Sequence, residues 1–301
     1  MSSEVVLIAN SAAGRGRSLA MAVRARADLR AQGVEASVEL PDNALATVEC
    51  ARTAVRAEAR ALVACGGDGT MNTVLQAVAQ TSIPFAILPC GTGNDNAREL
   101  STPGGVSSWA ESFAHALHSD RIRTIDLGRA SASGADRWFM GVLSTGFDSS
   151  VNERANRMSW PRGRSKYLVG TIAELQSFQP IRYRVRIDAI EHAEEGMLVC
   201  VGNGSAYGGG MRVCPEARLD DGILELTWLS RVPKTTFLRV FPTVFRGTHV
   251  QHPAVRTMRG RRFMIEGPGQ VAYADGERIG PLPVEVEVVP GALRILDLRQ
   301  S

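Results

Sequence analysis

The sequence predicts an α/β domain built on a parallel sheet, followed by a mostly antiparallel β domain of sandwich type. Three observations predict it. Strand and helix signals alternate over about the first 125 residues, the pattern of a parallel sheet covered by helices. From about Arg123 the chain changes to strand-like runs separated by glycine-rich turns, as in antiparallel β domains. Three glycine-bearing turns, Ser11–Gly16, Gly66–Thr70 and Gly91–Asn96, fall at the ends of predicted strands, where open α/β sheets bind ligands. The expected division is therefore residues 1–125 and 126–301.

The first strand is Glu4–Asn10, an apolar run ending in a polar residue, and the amphipathic helix Ser18–Gln32 stops at Gly33. Glu35–Leu40 is the second strand and Asn43–Ala59 the second helix. Ala61–Cys65 is a short buried strand, and behind it Met71, Val74, Leu75 and Val78 recur at helical spacing from Thr70. Pro84–Leu88 is the fourth strand and Ser107–His118 the closing helix. In the second part the strand-like runs are Arg123–Leu127, Arg137–Leu143, Ile181–Ile187, Gly196–Val201, Ile223–Leu229, Arg261–Ile265 and Val284–Val289. Helical interruptions fall near Tyr167–Ser177 and Lys234–Phe245.

Composition excludes several classes. With 301 residues, 44% hydrophobic and 22% charged, the chain is an ordinary globular protein large enough for two cores. A net charge of +3 is too small to imply nucleic acid. Lys166 and Lys234 are the only lysines, an arginine bias that reflects a GC-rich genome rather than a function. The five cysteines, Cys50, Cys65, Cys90, Cys200 and Cys214, form no C-x-x-C pair and indicate free thiols in a reducing compartment. The five histidines have no zinc spacing. No run approaches 18 apolar residues and no basic segment precedes the first apolar run. The expectation is a cytoplasmic protein with at most peripheral membrane contact.

The chemistry concentrates in Cys65-Gly66-Gly67-Asp68-Gly69-Thr70-Met71-Asn72. Its glycines let a ligand approach the backbone closely, and the helix start behind them suits a phosphate. A carboxylate repels phosphate unless a cation lies between, so Asp68 points to nucleotide phosphate with a divalent metal. An ordinary glycine turn is the plain alternative.

Four separated motifs now combine. Gly66-Gly67-Asp68-Gly69-Thr70-Met71-Asn72 resembles the G-G-D-G-T-x-N signature of diacylglycerol kinase catalytic domains, which NAD kinases and phosphofructokinases share in part. Leu88-Pro89-Cys90-Gly91-Thr92-Gly93-Asn94-Asp95-Asn96-Ala97-Arg98 is similar to L-P-x-G-T-x-N-D-[FL]-A-R of bacterial lipid kinases. Tyr207-Gly208-Gly209-Gly210-Met211, Pro215-Glu216-Ala217 and Asp220-Asp221-Gly222 follow the order G-G-G-M…P-x-A-x-x-x-D-G, and Asp275-Gly276-Glu277 matches the D-G-E near the C-terminus. The resemblance runs from about residue 5 to residue 296 and is nearest to the bacterial diacylglycerol kinase-like, multifunctional lipid kinase branch. Departures are Ser11 in place of the proline after Asn10, Leu40-Pro41 where a nucleotide-contacting threonine is usual, and Asn96 in place of an apolar residue.

The resemblance implies an NAD-kinase-like α/β domain, a C-terminal β-sandwich, and an ATP- and Mg²⁺-dependent lipid kinase. No G-x-x-x-x-G-K-[ST] is present, so ATP would be held by Asn10, Ser11, Ala12, Ala13, Gly14, the backbone of Gly66–Asn72 (Gly66, Gly67, Asp68, Gly69, Thr70, Met71 and Asn72) and Thr92. Arg15 and Arg17 are candidate phosphate neutralisers or solvated loop charges. Asp68 and Asp95 are candidates for the catalytic Mg²⁺, and Asp95 also for capping the next helix. The resemblance adds a second metal site at Asp221 with the carbonyls of Arg218 and Ile223. It makes Asp275-Gly276-Glu277 the source of the proton acceptor, Glu277 favoured with Asp275 orienting, and the reverse assignment standing beside it.

A basic, aromatic segment, Arg154–Tyr167, has the composition of a membrane-facing loop and equally of a solvated one. Partners expected are ATP, a lipid at a membrane surface and a second copy of the chain, with no nucleic acid. The acceptor lipid stays open among diacylglycerol, phosphatidylglycerol, a sphingoid base and ceramide. An NAD kinase and a noncatalytic nucleotide- or lipid-binding module are the rival readings.

Overall fold

The structure is a computed structural model and describes residues 4–10, 16–157 and 178–299. The chain forms two compact units, residues 1–127 with 289–301, and residues 128–288. The last thirteen residues thus belong with the first unit and not with the second, where the sequence division at residue 125 leaves them. Their apolar members Leu296 and Leu298 are buried in the core of the first unit.

In the first unit, β1 (Val5–Ala9), β2 (Ala36–Glu39), β3 (Ala61–Gly66) and β4 (Phe85–Pro89) form a parallel sheet in the order β2-β1-β3-β4. Every residue of β3 is buried, as parallel strands covered on both faces require. The helices are α1 (Arg17–Ala31), α2 (Ala44–Arg56), α3 (Asp68–Val78), the single-turn α4 (Asp95–Glu99) and α5 (Val106–His118). Asn43 caps α2, its side chain accepting the Ala46 N–H at 2.9 Å. Trp109 of α5 is fully buried and donates its indole N–H to the Ile87 carbonyl at 2.8 Å, fixing the helix to β4. The strand order changes direction between β1 and β3, which opens a crevice at their carboxyl ends.

The second unit is antiparallel. It begins in the second half of β5 (Ile122–Ala132) and contains β6 (Ala135–Phe139), β7 (Val142–Gly146), α6 (Phe147–Arg157), β8 (Ile181–Ile187), β9 (Ile190–Gly202) and β10 (Leu224–Ser230). After α7 (Lys234–Val240) come β11 (Val255–Gly260), β12 (Arg262–Glu266), β13 (Val271–Ala274), β14 (Glu277–Pro281) and the start of β15 (Val284–Leu296), whose residues from Val289 onward belong to the first unit. β7 pairs β9 and β13, β9 pairs β8 and β10, and β13 pairs β14, all antiparallel. The alternation of β8, buried at every second residue from Ile181 to Ile187, places its arginines outward. Its core centres on Trp228, Tyr183 and Phe263, with Tyr183 edge-on to Trp228 at 5.9 Å.

Three sequence expectations differ from this fold. The run Arg137–Leu143 is two strands, because the N–H groups of Met140, Gly141 and Val142 turn to a side-chain carboxylate instead of a ladder. The helix near Lys234–Phe245 ends at Val240 and continues as a 3₁₀ turn, Phe241–Arg246, with Pro242 at its start. Residues 154–157 are helical, forming the end of α6 instead of a loop. The expected helix at Tyr167–Ser177 and the remainder of the basic segment lie outside the described residues. All five cysteines are free thiols, four of them buried. Among the described residues no helix is long and apolar enough to cross a membrane.

Candidate active site

In the first unit the glycine turns after β3 and β4 meet. Cys90 donates its N–H to the Gly66 carbonyl at 2.8 Å. A Cβ at Gly91 would stand 2.6 Å from the Gly67 Cα, and one at Gly66 would strike the Thr70 side chain. Only glycine permits this approach. Asn94, in the left-handed region at φ 54°, clips its own turn by accepting the Gly91 N–H at 3.1 Å and donating to the Gly91 carbonyl at 2.8 Å. In α3 the first i→i−4 bond is Met71 N–H to Gly67 at 3.0 Å, so the N–H groups of Asp68, Gly69 and Thr70 have no partner within the helix.

Asp68 ties the two turns together. Its Oδ1 accepts the Asn96 N–H at 3.1 Å, and a Cβ at Gly93 would stand 2.7 Å from its Oδ2. Burial raises the Asp68 carboxyl above its usual range; the N–H groups of Asn96 and Asp95 oppose this and the Asp95 charge adds to it. The Asp95 side chain is only 9% exposed and pairs with Arg98, which also donates to the Gly93 carbonyl. Two carboxylates therefore share one neighbourhood beneath glycine backbone. Asn96, unexplained by sequence, is buried and donates its side-chain amide to the Met71 sulfur at 3.4 Å. Asn72 is fully buried and Thr92 exposed. Of the first turn, Asn10 accepts the Ser18 hydroxyl at 2.6 Å, and the exposed Arg17 lies within electrostatic reach of Cys90. Ser11, Ala12, Ala13, Gly14 and Arg15 lie outside the described residues.

In the second unit Asp275-Gly276 is the two-residue turn of the β13–β14 hairpin, with φ 48° and 82°, both left-handed as a type I′ turn requires. Asp275 is spent on structure. Its Oδ2 accepts the Met140 N–H at 2.9 Å, and its Oδ1 those of Gly141 at 2.9 Å and Val142 at 3.2 Å. The side chain of the half-buried Glu277 has no hydrogen bond or ion pair among the described residues. Of the expected second metal site, Asp221 accepts the Ile223 N–H at 3.2 Å with Oδ1 and pairs with Arg259 through Oδ2, while the Arg218 side chain faces Asp220 at 3.6 Å. The Asp221 carboxylate is thus shared between a backbone N–H and a guanidinium.

Sequence reading passed over Asp148 and Glu153. Asp148, in the first turn of α6, accepts the Ser144 hydroxyl at 2.8 Å and bonds Tyr207, anchoring the start of the glycine-rich 207–211 segment; burial raises its carboxyl. Glu153 binds Tyr273 and Arg278. Neither stands in a recognisable motif, and five residues apart they do not share a helix face, so no local signal marks them.

The family model of the diacylglycerol kinase catalytic domain matches residues 4–130, and that of the YegS C-terminal NAD kinase beta sandwich-like domain matches residues 141–297. A diacylglycerol kinase of Mycobacterium tuberculosis is 38% identical over 300 residues, covering 99% of this chain and 96% of that protein. The chain belongs to the diacylglycerol kinase family. As a member of it, the protein is a lipid kinase. A YegS-like probable lipid kinase of Stenotrophomonas maltophilia is 28% identical over 246 residues, 78% of this chain and 77% of its own. A crystal structure of a diacylglycerol kinase from Bacillus anthracis has a TM-score of 0.72 at 17% identity, covering 98% of this chain and 96% of that one. A second structure from that organism reaches 0.79 at 19%, covering 98% and 95%. At such identity these two show the fold.

Proposed function

We propose that this lipid kinase transfers the γ-phosphate of ATP to a lipid hydroxyl in an Mg²⁺-dependent reaction, most simply diacylglycerol to phosphatidic acid. The observation that carries the reading is the meeting of two glycine turns over Asp68 and Asp95. The N–H groups at the start of α3 offer phosphate oxygens fixed donors. Asn10, the 11–14 turn and Thr92 complete the nucleotide contacts in this reading.

Asp68 and Asp95 fit one Mg²⁺ bound through one or two carboxylates, with water and phosphate oxygens as its other ligands. The absence of a side chain at Gly93 leaves that side of Asp68 open. When bound, the ion supplies neutralisation of charge on the transferring phosphoryl group. Glu277 accepts the hydroxyl proton of the lipid, because its carboxylate is not committed elsewhere among the described residues, whereas Asp275 uses both oxygens on backbone N–H groups. Asp275 acts as the orienting residue. The relatives named diacylglycerol kinase support diacylglycerol as acceptor, and a peripheral approach to the membrane follows from a lipid substrate.

The test is label transfer from γ-labelled ATP with Mg²⁺ into mixed micelles of diacylglycerol, phosphatidylglycerol, sphingosine or ceramide, with NAD as a soluble acceptor. Label in diacylglycerol that is lost in Asp68→Ala and Glu277→Gln supports the reading. Label entering only NAD would overturn it.

A further inference from the structure

We propose that the outward face of α7 and the 3₁₀ turn Phe241–Arg246 is a docking surface for an anionic bilayer, with Leu238 and Phe245 entering the interface and Arg239 and Arg246 meeting lipid phosphates. The inference rests on the proposed lipid acceptor, since a lipid substrate requires approach to a membrane, and it assigns that approach to one element. Leu238 is 58% and Phe245 49% exposed, two large apolar side chains left in water. They stand about two helical turns apart, with the exposed Pro242 between them. The opposite side is fixed in the core. Phe237, Val240 and Val244 are buried, and Phe237 meets Phe147 edge-on at 4.7 Å and stacks on the half-buried Phe241 at 5.8 Å. The Arg212 N–H, donated to the Val244 carbonyl at 3.0 Å, ties the turn down. Packing, not a loose loop, therefore holds Leu238 and Phe245 outward.

Charge selects the occupant. From Leu226 to Ile265 the chain contains no Asp or Glu. Other arginines of that stretch find carboxylates elsewhere in the unit: Arg231 pairs with Glu195, Arg256 with Glu194 and Arg259 with Asp221. The exposed Arg239 and Arg246 differ, their side chains having no hydrogen bond or ion pair among the described residues. Lys234, at the start of α7, is exposed as well. Guanidinium groups without carboxylates beside exposed leucine and phenylalanine are the composition of a segment that lies in the membrane interface with its basic groups on anionic headgroups. A stable protein partner takes roughly 20–30 residues a side, far more than this short element presents. A bilayer needs only a few inserted side chains with basic groups around them.

Co-sedimentation of the full chain with phosphatidylcholine vesicles, with and without phosphatidylserine, tests the surface independently of the reaction. The parent is expected to bind the phosphatidylserine vesicles far more tightly than the neutral ones, and to release them as salt is raised. Arg239→Gln with Arg246→Gln should weaken that binding by about 10- to 30-fold, and Leu238→Ser with Phe245→Ser by at least about 10-fold. Both variants should melt like the parent and phosphorylate a monomeric short-chain diacylglycerol at the parent's kcat. A parent that does not bind phosphatidylserine vesicles, or variants that bind them as well as the parent, overturn the proposal. So does a dimer of the parent that Leu238→Ser with Phe245→Ser dissolves, because a second copy then occupies the face. If the serine variant does not fold, Phe245→Trp replaces it: quenching by brominated lipid beyond that of the parent supports insertion, and quenching equal to the parent's refutes it. The two readings fail separately. A parent that binds vesicles through this face yet transfers label to no lipid removes the reaction proposed above and leaves the surface. Full short-chain activity beside variants with unimpaired vesicle binding removes only the surface.

Discussion

Asp68-Gly69 and Asp275-Gly276 are one dipeptide in two settings. The first opens α3, where neither residue needs a positive φ; the second is a hairpin turn in which both do. Asp275 has three backbone N–H groups on its carboxylate, and its charge is satisfied. Asp68 has the N–H groups of Asn96 and Asp95 to oppose burial and a second carboxylate nearby, and its carboxyl is pushed up as a result. A carboxylate that a fold has fully satisfied serves the fold; one left short of partners is available to a cation. The same distinction separates Asp275 from Glu277 within one hairpin.

The largest expected effect that could break this comparison is in activity. Asp68→Asn should lower kcat by at least about 10²-fold, because charge stabilisation by a metal is worth several kcal/mol. Its melting temperature should equal or exceed that of the parent at neutral pH, since the amide still accepts the Asn96 N–H and the repulsion from Asp95 is gone. A variant that loses activity only by unfolding would show Asp68 to be structural too.

Asp275→Ala should lower stability where Asp68→Asn does not. It strands three N–H groups at the β6–β7 turn and should cost about 3 kcal/mol, given roughly 1–3 kcal/mol for each buried donor left unpaired. Urea denaturation measures it; a loss below about 1 kcal/mol would mean that water replaces the carboxylate without penalty.

Both settings were unequally legible in the sequence. The strand β3, the glycine turn and the apolar spacing of α3 lie within a dozen contiguous residues, so local pattern suffices there. Asp275 binds Met140–Val142, about 135 residues away, and no local signal reports such a contact. The same cause split Arg137–Leu143 into two strands and hid the short β13 and β14. The pairing of Asp221 with Arg259 is likewise a register effect, since Arg259 sits opposite Glu225 on the neighbouring strand. The return of Val289–Ser301 to the first unit was invisible for the same reason.

Glu225 sharpens the comparison as a third kind of carboxylate, buried and half satisfied. Oε2 accepts the Glu216 N–H at 2.8 Å, while Oε1 is buried with no donor among the described residues. Burial pushes its carboxyl up to about 7. A raised carboxyl pKa means that the folded state holds the proton where the unfolded chain releases it. Its contribution is therefore fully present below about pH 4.5 and is lost as pH rises to about 7. Glu225→Gln should remove this slope and gain on the order of 2 kcal/mol relative to the parent at pH 8. Parallel melting curves from pH 5 to 8 would test it; parallel slopes in the two proteins would refute the assignment.

The smallest effect isolates the glycines. Gly276 has φ 82° and a Cβ there would meet nothing within 4 Å, so Gly276→Ala tests backbone conformation alone. It should cost about 1 kcal/mol, the penalty of a left-handed residue with a side chain. Gly69 lies in the first turn of α3 with no positive φ, where alanine is the better helix former by roughly 0.5–1 kcal/mol. Gly69→Ala should therefore raise stability slightly while weakening ATP binding, because the proposed function brings a phosphate to this helix start. If Gly69→Ala is stabilising and fully active, the backbone at that turn is not the phosphate cradle. If both substitutions destabilise equally, the two Asp-Gly pairs differ less in backbone than their φ angles require.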